Sequence, residues 1–233
     1  MRILAVGAHP DDIEILCAGT LLRYAREGHE VVICVATNGE QGHMVIPPPE
    51  LKEIRRKEAA ASARVCGAEL IWLDIHDEFI YHDHETRMMF IDMVRQARPD
   101  VVITHNPDDY HLDHRIVSEL VFVSSFMASL PHVETAHQRT DGIPPLYYMD
   151  SLAGAAFIPT EYVDITEVIE DKLAMMSCHE SQVRWLKDHD GIDILDMIRV
   201  QGRFRGLACG VEYAEGFRRL DAWRRCPTTR HLP

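Results

Sequence analysis

The sequence predicts an α/β protein built on a doubly wound, mostly parallel sheet, with a smaller C-terminal subregion. Three observations predict it. Short apolar, partly β-branched runs alternate with longer helical patterns through the first half of the chain. Glycines and a proline stand where those helices should stop. The two richest clusters of acids and imidazoles each follow directly after an apolar run.

Taken in order, the runs at 3–6, 31–36, 70–73 and 101–104 read as strands buried on both faces, as parallel strands are. Helical stretches near 13–27, 49–66 and 86–97 separate them, and a fourth near 115–129 follows. Gly28 and Gly67 occupy C-cap positions, and Pro99 ends the third helix. Such alternation calls for right-handed crossovers with both sheet faces covered, a Rossmann-like arrangement. After Pro131 the pattern changes: residues 131–145 read as a long surface loop. Runs at 146–149 and 162–165 read as strands, and 167–188 and 192–205 as helices. No repeat or linker divides the 233 residues, so one domain is expected, with its core over about 1–130 and the subregion over about 131–233.

Charge narrows the function. Thirty-seven acidic against 24 basic side chains give a net charge of −13. This balance disfavours nucleic-acid backbones and anionic membrane surfaces, and an anionic substrate would need its own local arginines. No run of about 20 apolar residues offers a membrane span. The short run 3–8 is broken too early by His9 and Asp11 for a secretory leader, so a cytoplasmic, soluble protein is expected. The six cysteines (17, 34, 66, 178, 209 and 226) form no CxxC pair and read as buried, reduced thiols.

The chemistry gathers in two segments. One is Ala8-His9-Pro10-Asp11-Asp12-Ile13-Glu14 after the first strand, the other Asn106-Pro107-Asp108-Asp109-Tyr110-His111-Leu112-Asp113-His114 after the fourth. In the common strand order 3-2-1-4-5 these strands are neighbours, so the segments face each other across the crevice where such sheets bind ligands. Two imidazoles and a carboxylate with one open position make a catalytic zinc site. His9, Asp12 and one histidine of the pair His111 and His114 would supply it. Asp11 and Asp113 remain over, one to take a proton from the reacting water and one to orient a histidine. Asp12 alone would pass for a helix cap; its recurrence with a second cluster on a neighbouring strand favours the metal. The same donors also form the facial triad of non-haem iron oxygenases, but oxygen activation has no use for the second aspartate. A nucleotide-binding module is disfavoured too: no GxGxxG is present, and two adjacent carboxylates would repel a pyrophosphate.

AHPDDIE at 8–14 and HLDH at 111–114 resemble the AHPDDxE and HxDH motifs of the PIG-L/LmbE-like deacetylases. The likeness continues through Thr37-Asn38-Gly39-Glu40, Ile54-Arg55-x-x-Glu58, Asp77, Lys172, His179-x-Ser181-Gln182 and Ala214-Glu215-x-Phe217. It implies a zinc hydrolase that deacetylates N-acetylglucosamine derivatives or cleaves related amides such as sugar–thiol conjugates. It further implies zinc on His9, Asp12 and His114, with Asp11 as general base. His111, oriented by Asp113, would stabilise the oxyanion or protonate the leaving amine. Arg55 and Asp77 would contact substrate hydroxyls, and the chain would assemble as a homo-oligomer, a trimer or hexamer. The pair His82 and His84, lacking a partner cluster at a strand end, reads as solvated.

Overall fold

The computed structural model describes residues 1–223 and 225. Its strands are β1 (Arg2–Gly7), β2 (Glu30–Thr37), β3 (Glu69–Ile75), β4 (Val101–Thr104), β5 (Leu146–Met149), β6 (Glu161–Asp164) and β7 (Ala214–Arg219). They form a single sheet in the order β3-β2-β1-β4-β5-β7-β6. The first five run parallel, and β7 pairs antiparallel with both β5 and β6. The expected 3-2-1-4-5 order is therefore present, extended by two strands. The pattern left β7 out: its buried face carries Glu215 and Gly216, and two arginines close it, so no apolar run marks it.

Alternation along the strands builds two cores. Ile3, Ala5, Ile33 and Val35 face one side, against Leu21, Ala63, Met175 and Ile198 from helices. Leu4, Val6, Val32 and Cys34 face the other, against Phe90, Val94, Leu120 and Val121. The first helix group comprises α2 (Ala18–Arg26), α3 (Pro48–Cys66), α6 (Ile169–Ser177) and α8 (Ile194–Cys209); the second comprises α4 (His84–Ala97) and α5 (Leu112–Met127). Both faces are covered, which explains why the parallel strands read as continuous apolar runs rather than alternating ones.

Two helices expected to be continuous are broken, each at a carboxylate from elsewhere in the chain. The stretch 13–27 is a short α1 (Asp12–Leu16) followed by α2, divided at Cys17. Glu215 of β7 accepts the backbone N–H groups of Gly19 (2.8 Å) and Thr20 (2.7 Å) and the Thr20 hydroxyl (2.6 Å), doing for α2 what an N-cap residue does. The stretch 167–188 divides near Cys178 and His179 into α6 and α7 (Glu180–Trp185), followed by a wide π turn (Leu186–Asp190). There Glu58 of α3 accepts the Ser181 N–H at 2.8 Å and the Ser181 hydroxyl at 2.6 Å.

Cys17, Cys34 and Cys66 are buried and free, as expected. Cys178 is only half-buried and Cys209 is exposed, because the turn after α6 and the end of α8 reach the surface; Cys226 lies outside the described residues. Among the described residues no helix is long and apolar enough to cross a membrane.

Glu215 also pairs with the buried ammonium of Lys172. Glu215→Ala should strip three donors of their acceptor and leave that ammonium unpaired, costing about 3–5 kcal/mol in denaturant unfolding. Adding Lys172→Met should recover part of the loss, since it removes the unpaired charge.

Candidate metal centre and cleft

Gly7 ends β1 and Thr104 ends β4, and Val6 pairs with Thr104 in parallel register. The loops that follow therefore leave the same edge of the sheet side by side. His9, Asp11 and Asp12 come from the first loop and the start of α1. His105 and Asp109 come from the second, and His111, Asp113 and His114 from the N-terminus of α5.

Three donors converge. His9 Nδ1 lies 3.2 Å from His114 Nε2, which lies 3.2 Å from Asp12 Oδ1; His9 Nδ1 is 3.5 Å from the other oxygen of that carboxylate. Tetrahedral zinc with ligands at 2.0–2.1 Å has edges of about 3.3 Å, so the triangle has the size such an ion requires. Carboxylates face the remaining nitrogens, hydrogen-bonded at His114 Nδ1 but not at His9 Nε2. His114 Nδ1 faces Asp109 Oδ1 at 3.0 Å, while His9 Nε2 lies 3.4 Å from Asp113 Oδ2 and 3.5 Å from Asp77 Oδ1. This carboxylate–histidine arrangement frees the opposite nitrogen of each ring for a metal. Further groups able to hold a metal overlap the same spot, among them His9 with His111 and His114, and Asp12 with His105 and His114.

The electrostatics agree with a cation there. Burial would lift the Asp12 carboxyl, but His114 and His105 outweigh it and hold Asp12 well below the usual carboxylate range. Against the same burial, Asp12 and Asp109 push His114 up to about 9, and Asp113 with Asp12 raises His9 well above its ordinary value. Asp11 moves the other way: burial, then the adjacent Asp12 charge, pushes it up to about 7. Its backbone holds φ 114°, a conformation that side chains other than glycine rarely adopt and that costs on the order of 1–3 kcal/mol.

Not every expected contact takes the expected form. His111 Nδ1 accepts the backbone N–H of Asp113 at 3.2 Å, so the main chain of Asp113, rather than its carboxylate, orients that ring. The Asp113 carboxylate lies beside His9 and accepts the Glu78 N–H at 3.1 Å. Burial and the neighbouring His9 and His114 charges lower His111. Two residues that sequence reasoning passed over join the centre. Fully buried His105 stacks on His114 with centroids 3.9 Å apart, takes the Ala8 N–H at 3.0 Å and faces Asp12 Oδ2 at 3.1 Å. A histidine immediately after the fourth apolar run was the available signal. Asp109, within the second cluster, carries no spacing signal of its own.

The cluster opens into a cleft of about 230 Å³. Asp77 and Arg55 line it, though both are buried and held by the protein. Asp77 accepts the Thr37 hydroxyl and the Gln41 N–H, each at 3.1 Å. Arg55 donates to Gln182 and to the Gly42 carbonyl. Gly39 makes room for it: at φ 66°, a Cβ there would meet the guanidinium at 2.6 Å. Tyr110, exposed at the mouth, stands edge-on to His111 and His114. His179 lies behind the site, with Nε2 3.1 Å from Glu14. His82 and His84 do not join the cluster; His84 is exposed, and His82 is half-buried between Glu119 and Arg87.

Imidazoles and carboxylates gathered at the strand ends of a doubly wound sheet, with an open cleft beside them, form a candidate metal centre in an α/β enzyme. The comparisons place it more narrowly. The model of the PIG-L family, described as GlcNAc-PI de-N-acetylase, matches residues 4–124, and the chain belongs to this family. Diacetylchitobiose deacetylase of Thermococcus kodakarensis is 29% identical over 231 residues, covering 93% of this chain and 82% of that protein. The solved structure of N,N'-diacetylchitobiose deacetylase from Pyrococcus horikoshii superimposes with a TM-score of 0.81 at 28% identity, over 94% of this chain and 83% of the other. The chain is also similar to a 4-oxalmesaconate hydratase of Pseudomonas putida, at 26% identity over 77% of this chain and 73% of that protein.

Asp109→Asn should leave the fold intact and weaken metal binding about 10–100-fold, the usual consequence of losing a carboxylate that orients a ligating histidine. Competition with a chromophoric chelator measures it.

Proposed function

We propose that the protein removes an acetyl group from an N-acetylglucosamine-type sugar derivative, with zinc held by His9, Asp12 and His114. The observation that carries this reading is the convergence of those three side chains at zinc-like spacing beside a cleft lined by Asp11 and His111. When bound, zinc would polarise the amide carbonyl and bring a coordinated water towards a pKa of about 7.

The chain's own residues supply the rest. Asp11, next in sequence to the ligand Asp12, takes the proton of the attacking water. His111 accepts the Asp113 N–H at Nδ1, which fixes its proton on Nε2. That Nε2–H is the donor for the developing oxyanion, and the leaving amine, which must depart protonated because an amide anion is too poor a leaving group, receives the proton that Asp11 took from the water. Arg55 and Asp77 meet the sugar hydroxyls; each Asp77 oxygen has a second lone pair to offer. A cytoplasmic setting and assembly as a trimer or hexamer belong to the same reading.

A second reading, a hydratase, is favoured by the likeness to the Pseudomonas putida enzyme. Both chemistries deliver a water, and substrate charge separates them. Among the described residues Arg55 is the one guanidinium lining the cleft, against the carboxylates of Asp11, Asp12, Asp77 and Glu78, a poor setting for a carboxylate substrate and a good one for an uncharged amide.

Elemental analysis coupled to amine release from a panel of N-acetylated sugars tests the proposal. About one zinc per chain with chelator-reversible amine release is expected; metal without amine release, alongside hydration of an unsaturated carboxylate, would replace it with the hydratase. His9→Ala or His114→Ala should lose both metal and activity. Asp11→Asn should keep the metal and lose activity about a hundredfold or more, and an active Asp11→Asn enzyme would remove Asp11 from its role.

A further inference from the structure

Apart from Gln182, whose carbonyl is taken up by Arg55, the part of the cleft contributed by the C-terminal subregion is aliphatic. Leu152 comes from the turn after β5, Leu186 from the π turn, Ile192 from the segment after it, and Ile194 and Met197 from the start of α8. None offers a hydrogen bond to a sugar hydroxyl. The segment that presents them is rich in polar groups, yet Lys187, Asp188, His189, Asp190 and Asp193 are all exposed and absent from the lining. Only its apolar members face the cleft. Geometry explains how. The π turn closes through the Ile192 N–H to the Leu186 carbonyl at 3.0 Å, with Gly191 at φ 70°. Trp185, stacked on His189 at 4.2 Å, anchors the turn on its other side. Ile192 nevertheless remains 39% exposed, a branched aliphatic side chain on a surface turn.

We infer that the substrate is an amino sugar bearing an apolar group, aliphatic or aromatic, that packs on this wall while the amide meets His9, Asp11 and His114. The inference rests on the deacetylase reading for the identity of the reacting amide. Its physical basis is independent: hydroxyls laid against an aliphatic wall lose hydrogen bonds to water without replacement, whereas an apolar substituent gains by leaving water. The group can be joined to the sugar in two ways, through the glycosidic oxygen or as an acyl chain longer than acetyl. Both present the same chemistry to the wall.

Calorimetric binding to the zinc-loaded Asp11→Asn protein separates them. One arm compares the methyl and hexyl glycosides of N-acetylglucosamine, and the other compares N-acetyl with N-hexanoyl on the methyl glycoside. At least one arm should tighten about tenfold or more, and Ile192→Ser or Met197→Ala should abolish most of that gain. Ile192 is surface-exposed, so its replacement tests the wall without disturbing the core. No tightening in either arm, or tightening that survives both substitutions, overturns the inference. Amine release from the methyl glycoside by the unsubstituted enzyme is scored separately. Tightening without release keeps the apolar subsite and discards the deacetylase, and release without tightening does the reverse.

Discussion

The parallel pairing of β1 with β4 is the constraint on which the cleft depends. Val6 opposite Thr104 sets the two chain exits side by side, which brings His9 and Asp12 to within hydrogen-bonding distance of His105 and His114 about a hundred positions away. The register is secured by burial. A slip of one residue would exchange Ile3 and Ala5 with Leu4 and Val6 between two different cores. The same aliphatic side chains that hold the sheet together therefore fix the spacing of His9, Asp12 and His114.

That pairing also concentrates charge. Asp11, Asp12, Asp77, Asp109 and Asp113 are all at most 6% exposed, and carboxylates tolerate such burial only with compensation. Some of it is built in: Asp12 and Asp113 occupy the first turns of α1 and α5, where backbone N–H groups favour negative charge. The imidazoles supply more, with His9 and His114 drawn towards their protonated forms. A divalent ion would replace those protons with a charge of fixed position, and the surrounding carboxylates would then hold the imidazoles in one orientation.

The parallel half of the fold was legible in the sequence because buried strands carry uninterrupted apolar runs and their helices carry ordinary stop signals. The two clusters were legible for the same reason, since each begins where a run ends. Longer-range effects were not. Nothing local in 13–27 announces a break at Cys17, because its cause is Glu215, and β7 is hidden by the charge that performs that task. His105 escaped notice because a buried histidine acts here by stacking and by accepting one backbone N–H, neither of which leaves a spacing pattern. Whether His111 or His114 faces the metal was equally beyond spacing. The contact that distinguishes the two rings, Asp109 Oδ1 against His114 Nδ1, depends on the fold and has no counterpart in the spacing.

Glu58 and Glu215 join early and late parts of the chain in opposite directions. The early Glu58 completes the start of α7, and the late Glu215 completes the start of α2. Each half thus holds a helix end that the other half lacks. The segment after α5 is consequently no detachable module that could be exchanged between proteins as a cassette. A replacement would have to carry a carboxylate for Gly19 and Thr20 and a helix start for Glu58, as well as its own contribution to the cleft.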